Sequence, residues 1–370
     1  MTMPQAAGMD LPMPKPGELG DFAGLPPSPK NGPCLMPNKT FILYGTGPDT
    51  IVPEIRPTRA PRDHEVLVHM RFAALNYRDL KIADGRYSPA PILPIVPLSD
   101  GSGEVIAVGT KVRQFRPGDR VVPIYYQGWH SGTMGQRGSC RQLGGDVDGV
   151  AQDYVVVGEA DLVRIPDGLS LKDAAAFPCA AVTAWHGLVC IADIGPGDTV
   201  LVQGSGGVSL FALQIALMKG ARVIATSGDD AKLARMRALG ACAGMNYRTN
   251  LDWGVRIREL TGGRGVDCVV DVSGEESIAQ SMAAARDGGH VLIIGNLSGR
   301  FSQPDAANDR DLVMTSIGVG SREMTRDVMD CFASHNVTPV LDRSFAPGEL
   351  ARAMAYLRSG RHFGKIMIEF

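Results

Sequence analysis

The feature that most constrains this chain is a glycine-rich turn between an apolar segment and a helical one. Residues 199–203 (TVLVQ) form an apolar run typical of a buried strand, and Gly204, Gly206 and Gly207 follow it directly. Such glycines let the chain turn sharply and bring backbone N–H groups close to an anion. The next segment has helical spacing of its apolar residues and predicts an amphipathic helix with one stripe against a sheet. The positions of that stripe are Val208, Phe211, Ala212, Ile215 and Ala216.

This strand, turn and helix together predict a site for the pyrophosphate of a dinucleotide at the helix N-terminus. The third position of the G-x-G-x-x-G pattern is Ser209 rather than glycine. The alternative is that the glycines form only a strand-to-helix turn in an α/β domain. The strand before the turn and the helix after it favour the dinucleotide, because the motif requires both.

Length and charge limit the function classes. The chain has 370 residues and a formal net charge of −2, which predicts about two domains and gives no basic surface for nucleic acid. No run of about 18 uncharged apolar residues predicts a membrane span. The start lacks the basic region and apolar core of a secretory signal, so we expect a cytoplasmic protein.

The seven cysteines are widely spaced and contain no C-x-x-C pair. Their odd number and spacing fit neither a disulfide framework nor a cysteine-rich zinc site. We therefore expect most of them to be small core side chains in a reducing compartment.

Sequence patterns divide the chain into three regions. Residues 1–37 contain nine prolines, five methionines and one aromatic residue, which predicts an extended or disordered arm. Short apolar runs then alternate with glycine and proline, which predicts a β-rich domain. From residue 171 onward helical and strand patterns alternate, which predicts a doubly wound parallel sheet. The predicted strands are residues 65–72, 103–108, 119–125, 154–157, 266–272, 290–294 and 365–369, and the predicted helices are residues 231–239, 252–260, 278–285 and 349–358.

This order of regions resembles the medium-chain dehydrogenase/reductase superfamily over about residues 40–370. The motifs that carry the resemblance are LNYRD (75–79), PLSDGSGEV (97–105), CAAVTA (179–184), GSGGV (204–208), NYR (246–248), LTGGRGVD (260–267), GNLSG (295–299) and HFGK (362–365). The resemblance implies an α/β fold with a GroES-like β-rich domain at 38–170, completed by 340–370, and a Rossmann domain at 171–339. The motifs look like the zinc-free branch, akin to quinone oxidoreductases and alcohol dehydrogenase-like reductases.

The same resemblance bears on the metal. Zinc-dependent relatives place a cysteine, a histidine or glutamate, and a second cysteine or histidine around a catalytic ion. Asn76 and Ser99 stand at the first two of those positions, and only Cys179 remains. A single thiolate cannot hold a zinc ion that needs three protein ligands, so we expect no metal. The remaining route to a zinc site is the approach of His64 or His130.

The end of the second Rossmann strand bears on the choice of nicotinamide cofactor. An NAD site usually has an acidic residue there, but this chain has Ser227. A neutral serine leaves room for a 2′-phosphate, and the resemblance implies that Lys232, Tyr247 and Arg248 hold the phosphate and cover the adenine. NADP(H) is therefore favoured over NAD(H). The acidic pair at 229–230 would repel a phosphate, unless it only caps the following helix.

Further cofactor contacts are implied by the resemblance. Segments after two later strand ends are expected to hold the nicotinamide amide through backbone groups, and residues 362–365 are expected to close the site. Besides Ser227, Lys232, Tyr247 and Arg248, the residues expected to contact the cofactor are Thr183, Gly204, Ser205, Gly206, Gly207, Val208, Gly295, Leu297, Gly320, Ser321, Phe363 and Lys365.

Without a metal, the acceptor must be activated by hydrogen bonds from the protein. Conjugated double bonds and quinones tolerate such weak activation best, because the negative charge spreads onto a remote oxygen. We therefore expect a zinc-independent, NADPH-dependent oxidoreductase that transfers a hydride to an enone, an enoyl group or a quinone. The alternatives are an NAD(P)-dependent alcohol dehydrogenase or ketone reductase, an enoyl reductase acting on a carrier-tethered chain that docks through the arm, and a non-catalytic nucleotide-binding protein.

The candidate hydrogen-bond donors are Asn76, Tyr77, Arg78, Lys81, Tyr87 and Ser99. Asn76 and Tyr77 are expected to contact the substrate. Asn76 and Asp79 also have the spacing of a capping box. Arg78 could equally form a structural ion pair with Asp79 or Asp100, and Tyr77 could pack under the cofactor.

Two further features bear on the substrate pocket and the assembly. Cys179 and His186 lie seven residues apart, which fits a pocket wall better than a nucleophilic pair. Tyr125, Tyr126, Trp129 and His130 lie in or next to a glycine-rich segment at 127–149, which is either a selectivity loop or a surface excursion. Residues 314–320 have the apolar, small-residue character of an edge strand, so we expect a homodimer. The expected substrate of the reaction is a small molecule.

Overall fold

The computed structural model describes residues 36–135, 140–295 and 310–370. The strands are β1 (Pro37–Leu43), β2 (Ile51–Pro57), β3 (Glu65–Ala74), β4 (Asp100–Val108), β5 (Arg120–Pro123), β6 (Tyr126–Gln127), β7 (Arg141–Gln142), β8 (Tyr154–Gly158), β9 (Leu162–Arg164), β10 (Thr199–Gln203), β11 (Arg222–Ser227), β12 (Ala243–Asn246), β13 (Val266–Asp271), β14 (Ala285–Ile293), β15 (Val313–Ser316), β16 (Leu341–Phe345) and β17 (Lys365–Glu369). The helices are α1 (Tyr77–Ala83), α2 (Leu171–Ala174), α3 (Val182–Trp185), α4 (Gly207–Met218), α5 (Asp230–Ala238), α6 (Trp253–Leu260), α7 (Ile278–Ala284), α8 (Arg322–Ser334) and α9 (Leu350–Arg358).

Six parallel strands form the sheet of the C-terminal half, in the order β12-β11-β10-β13-β14-β15. From β10 the chain adds strands first on one side, β11 and β12, and then on the other, β13 to β15. The carboxyl ends of the strands at such a switch point form a ligand crevice. The predicted doubly wound parallel sheet is confirmed. The predicted β-rich region is also confirmed, as a second, mainly antiparallel sheet.

The second sheet takes in the end of the chain. Its strand order is β16-β17-β3-β4-β5-β9, with β8 also paired to β3. β17 runs antiparallel to β3, with Met367 opposite Ala74. Pro37, which the sequence assigned to the arm, is instead the first residue of β1. Residues 1–35 lie outside the described part of the chain, so the rest of that assignment stays a prediction.

The helix after the glycine turn is buried on more than the stripe that its sequence predicts. Leu210 and Leu213, on other faces of α4, are also buried. Phe211 packs edge-on against Phe177 and Phe332, with ring centres 5.1 and 5.5 Å away. The prediction was incomplete because other helical segments also pack on α4: Phe177 lies in the turn before α3, and Phe332 lies in α8. Burial of each such side chain stabilises the fold by roughly 1.5–3 kcal/mol.

One strand begins earlier than predicted. The sequence indicated a helix to residue 285 and a strand from 290, but β14 begins at Ala285, opposite Val266. The register shifts before His290 pairs with Cys268. Gly288 adopts a φ of 66°, which glycine tolerates, so the extra residues form a bulge in the strand.

The chain between β9 and β10 is helical over much of its length. Two wider π-type turns, Phe177–Ala181 and His186–Ile191, flank α3. Such turns are frequent near functional sites, because they shift side chains around the helix axis. Among the helices of the described ranges, none is long and apolar enough to cross a membrane.

Candidate active site

The glycine turn links β10 to α4 at the crevice. Gly204 adopts a φ of 72°, the left-handed conformation that glycine accepts without strain. A side chain on Gly207 would place its Cβ 2.7 Å from Cδ of Lys365. The first glycine is thus required by the turn, and Gly207 is required by the close approach of a neighbouring side chain.

Ser209, which stands at the third glycine position of the G-x-G-x-x-G pattern, forms a hydrogen bond that fixes its side chain. Its hydroxyl donates to the backbone oxygen of Gln203 at 2.6 Å, and its side chain is buried. The helix therefore packs closely on the strand although the third glycine is missing. The N-terminus of α4 remains available to an anion.

The segment before β17 closes over the turn. Gly364 N donates to Ser205 O at 3.0 Å, and Gly364 forms an isolated bridge with Gly206. Nε2 of His362 lies 4.0 Å from the point where a Cβ of Gly206 would stand. The neighbouring Phe363 ring is buried, so backbone and His362, rather than the phenyl ring, border the turn.

The end of β11 is where the sequence placed the adenosine ribose. Ser227 is buried, and its hydroxyl accepts from Asp229 N at 3.2 Å. Asp229 caps α5 by accepting from Lys232 N at 3.1 Å, so its capping interpretation is confirmed. Tyr247 Oη and Arg248 Nε lie 2.8 and 2.7 Å from the Cβ position of Gly228, immediately after Ser227.

Lys232 has a different environment from the one predicted. Its Nζ donates to the backbone oxygens of Gly360 and His362, at 2.5 and 2.9 Å. Burial lowers its pKa from the ordinary value. The ammonium therefore anchors the segment before β17 to α5. Neither predicted cation has an ion-pair partner in the described ranges, but Lys232 is bonded to backbone and the Arg248 guanidinium is not.

A closed hydrogen-bonded ring joins side chains at β3, β4 and β17; we call it the Asn76 ring. Lys365 Nζ donates to Leu75 O at 2.9 Å, to Asn76 Oδ1 at 2.6 Å and to Asp100 Oδ2 at 3.4 Å. Ser99 Oγ donates to Asp100 Oδ1 at 2.8 Å and accepts from Asn76 Nδ2 at 3.4 Å. Lys365 is only 2% exposed, so its charge is compensated inside the protein by Asp100.

Asn76 also begins α1, as its spacing to Asp79 predicts. Asp79 Oδ2 accepts from Asn76 N at 2.8 Å, which is the carboxylate half of a capping box. The side-chain amide of Asn76 is bonded to Lys365 instead. The structure thus gives Asn76 a capping role through its backbone and a separate role through its side chain.

Arg78 lies in a buried cage formed by two tyrosines. Its guanidinium carbon is 5.2 Å from the Tyr87 ring centre and 5.0 Å from that of Tyr125, and Nη1 donates to Leu143 O at 2.9 Å. Asp79 is its ion-pair partner at 3.3 Å, so the structural ion-pair interpretation is confirmed. Burial raises the pKa of Asp79 to about 6, although Arg78 acts in the opposite direction.

Two tyrosines of this cage share one acceptor. Tyr87 Oη donates to Gln142 Oε1 at 2.5 Å, and Tyr125 Oη donates to the same oxygen at 3.0 Å. Burial raises the pKa of Tyr125 well above its ordinary value, so its hydroxyl stays protonated. The cage therefore places tyrosine hydroxyl groups and one guanidinium near the Asn76 ring.

Cys179 lies between the Asn76 ring and the cage. Its backbone N donates to Asp100 Oδ2 at 3.2 Å. Burial, and then the charge of Asp100, raise the pKa of its thiol above the usual range. A protonated thiol is a poor nucleophile. His186 bonds to Val319 O at 2.7 Å instead, so the structure does not join the two residues as a nucleophilic pair.

An aromatic cleft opens beside Tyr126, with a volume of about 350 Å³. The lining residues are Tyr126, Trp129, Thr133, Met134, His186 and Gly318. The Trp129 and His186 rings pack edge-on with centres 5.8 Å apart, and Tyr126 packs edge-on against Tyr125 at 4.7 Å. Part of the glycine-rich segment thus forms a cleft wall, which favours its interpretation as a selectivity loop.

The remaining predicted cofactor residues have local contacts that the structure describes, with one exception. Thr183 is buried and donates to Cys179 O at 2.7 Å. Ser321 caps α8 by accepting from Met324 N, so its hydroxyl is already bonded. A Cβ on Gly295 would lie 1.6 Å from Val272 O, which explains the glycine there. A Cβ on Gly320 would meet Val182 and Met324 at 2.7 Å; Leu297 lies outside the described residues.

Tyr77 is not brought into the Asn76 ring. Its side chain is 37% exposed, and Lys81 Nζ lies 5.8 Å from its ring centre. Because successive helical residues point about 100° apart, the residue after the inward-facing Asn76 turns away from it. The predicted substrate contact by Tyr77 therefore stays a prediction without support from this geometry.

Family models match two parts of the chain. Residues 62–167 match the alcohol dehydrogenase GroES-like domain, and residues 207–334 match the zinc-binding dehydrogenase family. A zinc-type alcohol dehydrogenase-like protein of Schizosaccharomyces pombe is 39% identical over 314 residues, which cover 82% of this chain and 90% of that protein. The chain belongs to the medium-chain dehydrogenase/reductase superfamily. It is therefore an NAD(P)H-dependent oxidoreductase that acts on a small molecule.

Two other comparisons bear on this superfamily membership. Human quinone oxidoreductase is 28% identical over 237 residues, which cover 64% of this chain and 66% of that protein. The crystal structure of a putative alcohol dehydrogenase from Sinorhizobium meliloti 1021 has a TM-score of 0.83 and 36% identity, and the match covers 90% of this chain and 98% of that one. Both the quinone oxidoreductase and the alcohol dehydrogenase branches of the superfamily are thus similar to this chain.

The residues at the expected zinc positions do not fit a zinc ion. Asn76 Oδ1 is bonded to an ammonium group, Ser99 is a hydroxyl bonded to Asp100, and Cys179 is the one cysteine among the three. A dication here would be repelled by Lys365 and would lack imidazole ligands and a second thiolate. Within the described ranges, no group of three or more His, Cys, Asp or Glu residues has a metal-binding arrangement.

The two histidines considered as substitute ligands are bonded elsewhere. His64 lies 3.8 Å from Glu159, and His130 lies 3.0 Å from Asp161. Neither contact involves the Asn76 ring. The sequence reasoning also did not foresee Asp100 and Gln142 as site residues or the contact of Lys365 with Asn76. The available signal was a lysine directly before the apolar run 366–368 of the final strand.

Proposed function

We propose that this protein is an NADPH-dependent, zinc-independent reductase of activated double bonds or quinones. The observation that carries the proposal is the ammonium group of Lys365, which is bonded to Asn76 and Asp100 beside the positions where the resemblance places the metal ligands of zinc-dependent relatives. Activation of the acceptor then depends on hydrogen bonds, and conjugated acceptors need least of it because their charge spreads onto a remote oxygen. The similarity to a quinone oxidoreductase supports the same class.

A bound nicotinamide dinucleotide would supply the hydride at the crevice between β10 and β13. When an enone accepts a hydride at its β-carbon, the C=C electron pair shifts and the carbonyl oxygen becomes an enolate oxygen. A proton from water or a protein acid then completes the C–H bond at the α-carbon. In this reaction the Asn76 amide donates a hydrogen bond to the developing oxyanion, and the tyrosine hydroxyl groups of the cage lie nearby.

The preference for NADPH rests on the end of β11. Ser227 carries no charge, and Arg248 and Tyr247 lie over Gly228 immediately after it. A guanidinium binds a phosphate bidentately, which an uncharged ribose hydroxyl cannot match. We assign the 2′-phosphate contact to Arg248 rather than to Lys232, because Lys232 is bonded to two backbone carbonyls.

The test is NADPH oxidation against enones, quinones, ketones and aldehydes, using metal-analysed protein with and without a chelator, and then with NADH. We expect turnover of enones or quinones with NADPH and no change on chelation. Activity that disappears with the chelator and follows bound zinc would overturn the proposal. Turnover only of ketones or alcohols would favour the alternative, an alcohol dehydrogenase, which the names of two similar proteins suggest.

We also propose a cytoplasmic homodimer that pairs through β15. This strand is the last of the parallel sheet, and its neighbour on one side is β14. Val313 at its start is 43% exposed, so the edge offers apolar surface, and among the described residues β15 pairs with β14 alone. Sedimentation of the intact chain as a monomer at all concentrations would contradict this proposal.

A further inference from the structure

The Asn76 ring contains a lysine that is too fully bonded to act on the substrate directly. Lys365 Nζ has three protons, and they are directed at Leu75 O, Asn76 Oδ1 and Asp100 Oδ2. The side chain is 2% exposed. An ammonium saturated in this way cannot donate to a ligand without breaking one of these bonds.

The charges at the two ends of the ring fix the orientation of the amide between them. An ammonium only donates hydrogen bonds, so the oxygen of Asn76 must face Lys365. Nδ2 therefore points the other way, where Ser99 Oγ accepts from it at 3.4 Å. Ser99 can accept because its own proton is given to the Asp100 carboxylate at 2.8 Å. The second N–H of Asn76 has no acceptor in the described ranges.

The lysine also connects this amide to the cofactor turn. Its Cδ lies 2.7 Å from the Cβ position of Gly207, at the N-terminus of α4. The preceding residue, Gly364, bonds to Ser205 O at 3.0 Å. The free N–H of Asn76 is therefore held at a defined place relative to the glycine turn.

We propose that Lys365 is a positioning residue: it orients the Asn76 amide so that the free N–H of Nδ2 faces the carbonyl oxygen of an α,β-unsaturated acceptor. This inference rests on the proposed function. The positive charge next to Asn76 Oδ1 polarises the amide and strengthens its N–H as a donor. Lys365 thus supplies, through Asn76, part of the electrostatic activation that a metal provides elsewhere in the superfamily.

A double-mutant cycle tests this coupling. The variants are Asn76→Ala, Lys365→Met and their combination, assayed with NADPH and either 2-cyclohexenone or menadione. We expect Asn76→Ala to lower kcat by about 10²-fold, the effect of losing one oxyanion donor. Lys365→Met should have a similar effect, and the combination should fall no more than about threefold below the weaker single variant. Independent, multiplicative losses would overturn the proposal.

Additional variants separate positioning from folding. Asn76→Asp retains the contact with Lys365 but loses the N–H, so it should be at least as inactive as Asn76→Ala. Ser99→Ala removes the acceptor that orients Nδ2 without removing a charge. If Lys365→Met does not fold, the cycle between Ser99→Ala and Asn76→Ala carries the test: Ser99→Ala should cost about tenfold in kcat alone and nothing further beside Asn76→Ala.

A matched control is Asn38→Ala. Asn38 is another buried asparagine, which bonds to Gln152 and to the backbone of Tyr154. The Asn38→Ala variant should have a lower melting temperature, because it loses buried hydrogen bonds. Its kcat should stay within about twofold of the wild type, because these bonds lie away from the Asn76 ring. NADPH affinity, measured by fluorescence, should stay unchanged in the Asn76 variants.

The outcomes also separate this inference from the proposed function. If the wild-type enzyme turns over neither acceptor, the proposed function fails. If the wild type is active and Asn76→Ala keeps its kcat, only the present inference fails.

Discussion

The glycine turn and the Asn76 ring border the same crevice but are built differently. The turn comes from consecutive residues, 203–209, and its contacts are mainly backbone ones. The ring joins residues up to 289 positions apart, and its contacts are made by charged and amide side chains. A turn built from backbone can be recognised in a sequence, because glycine positions reveal it. A ring built from distant side chains forms only when neighbouring strands of one sheet, β17, β3 and β4, bring them together.

The two regions meet at one point, where the stem of Lys365 crosses Gly207. The backbone of Gly207 thus forms part of the glycine turn, and the absence of a side chain on Gly207 leaves room for Lys365 of the Asn76 ring. Perturbation at this point tests whether the regions act independently.

The largest expected effect comes from Gly207→Ala. A methyl group there would lie 2.7 Å from Cδ of Lys365, and overpacking of this kind costs about 1–3 kcal/mol. We expect Lys365 to shift, so that kcat falls by about 10- to 100-fold while NADPH binding also weakens. Steady-state kinetics and fluorescence titration measure the two effects.

The control for that substitution is Gly195→Ala, since a Cβ at Gly195 meets no atom within 4 Å. It should leave both kcat and NADPH affinity unchanged. If Gly207→Ala weakens NADPH binding but leaves kcat intact, the turn and the ring are independent.

A smaller effect is expected from Arg248→Ala, which affects the cofactor side only. Loss of a charge-assisted hydrogen bond of about 1.5 kcal/mol should raise KM for NADPH by about tenfold. KM for NADH and the kcat values should not change. Arg116→Ala, at an 87% exposed arginine, is the control. Equal losses with both cofactors would show that Arg248 does not recognise the 2′-phosphate.

The effect that bears least on the comparison of the two regions is the pH dependence of stability at His362. Burial and the charge of Lys232 lower the pKa of His362 from 6.5 to about 4. The unfolded chain therefore binds a proton that the folded protein does not bind between these values, so stability is present above pH 6.5 and is lost as the pH falls toward 4. Denaturant unfolding of His362→Gln should show a shallower loss over this window.

The exposed His335 provides the matching control, because its replacement by glutamine should leave the wild-type pH profile unchanged. An identical profile for wild type and His362→Gln would contradict the assignment. The protonation of His362, in the segment before β17, would then make no contribution to the free energy of unfolding.

Prediction from the sequence was most successful where the structure is local. The bounds of β10 and β17 agree with the predicted strands, because short apolar runs flanked by glycine leave few alternatives. The capping role of Asp229 could also be predicted, since it depends on a residue three positions away. The roles of Lys232 and Tyr77 could not be predicted, because each depends on which segment packs against its helix.

The sequence by itself determined the fold class, the glycine turn and the presence of Asn76 and Ser99 in the motifs that carry the resemblance, because these depend on residue type and short-range spacing. Only the tertiary structure decided that these two side chains join a buried ammonium and a carboxylate. The partners of Lys365 lie in strands and loops far away along the chain, and a buried ammonium is stable only where folding delivers compensating acceptors.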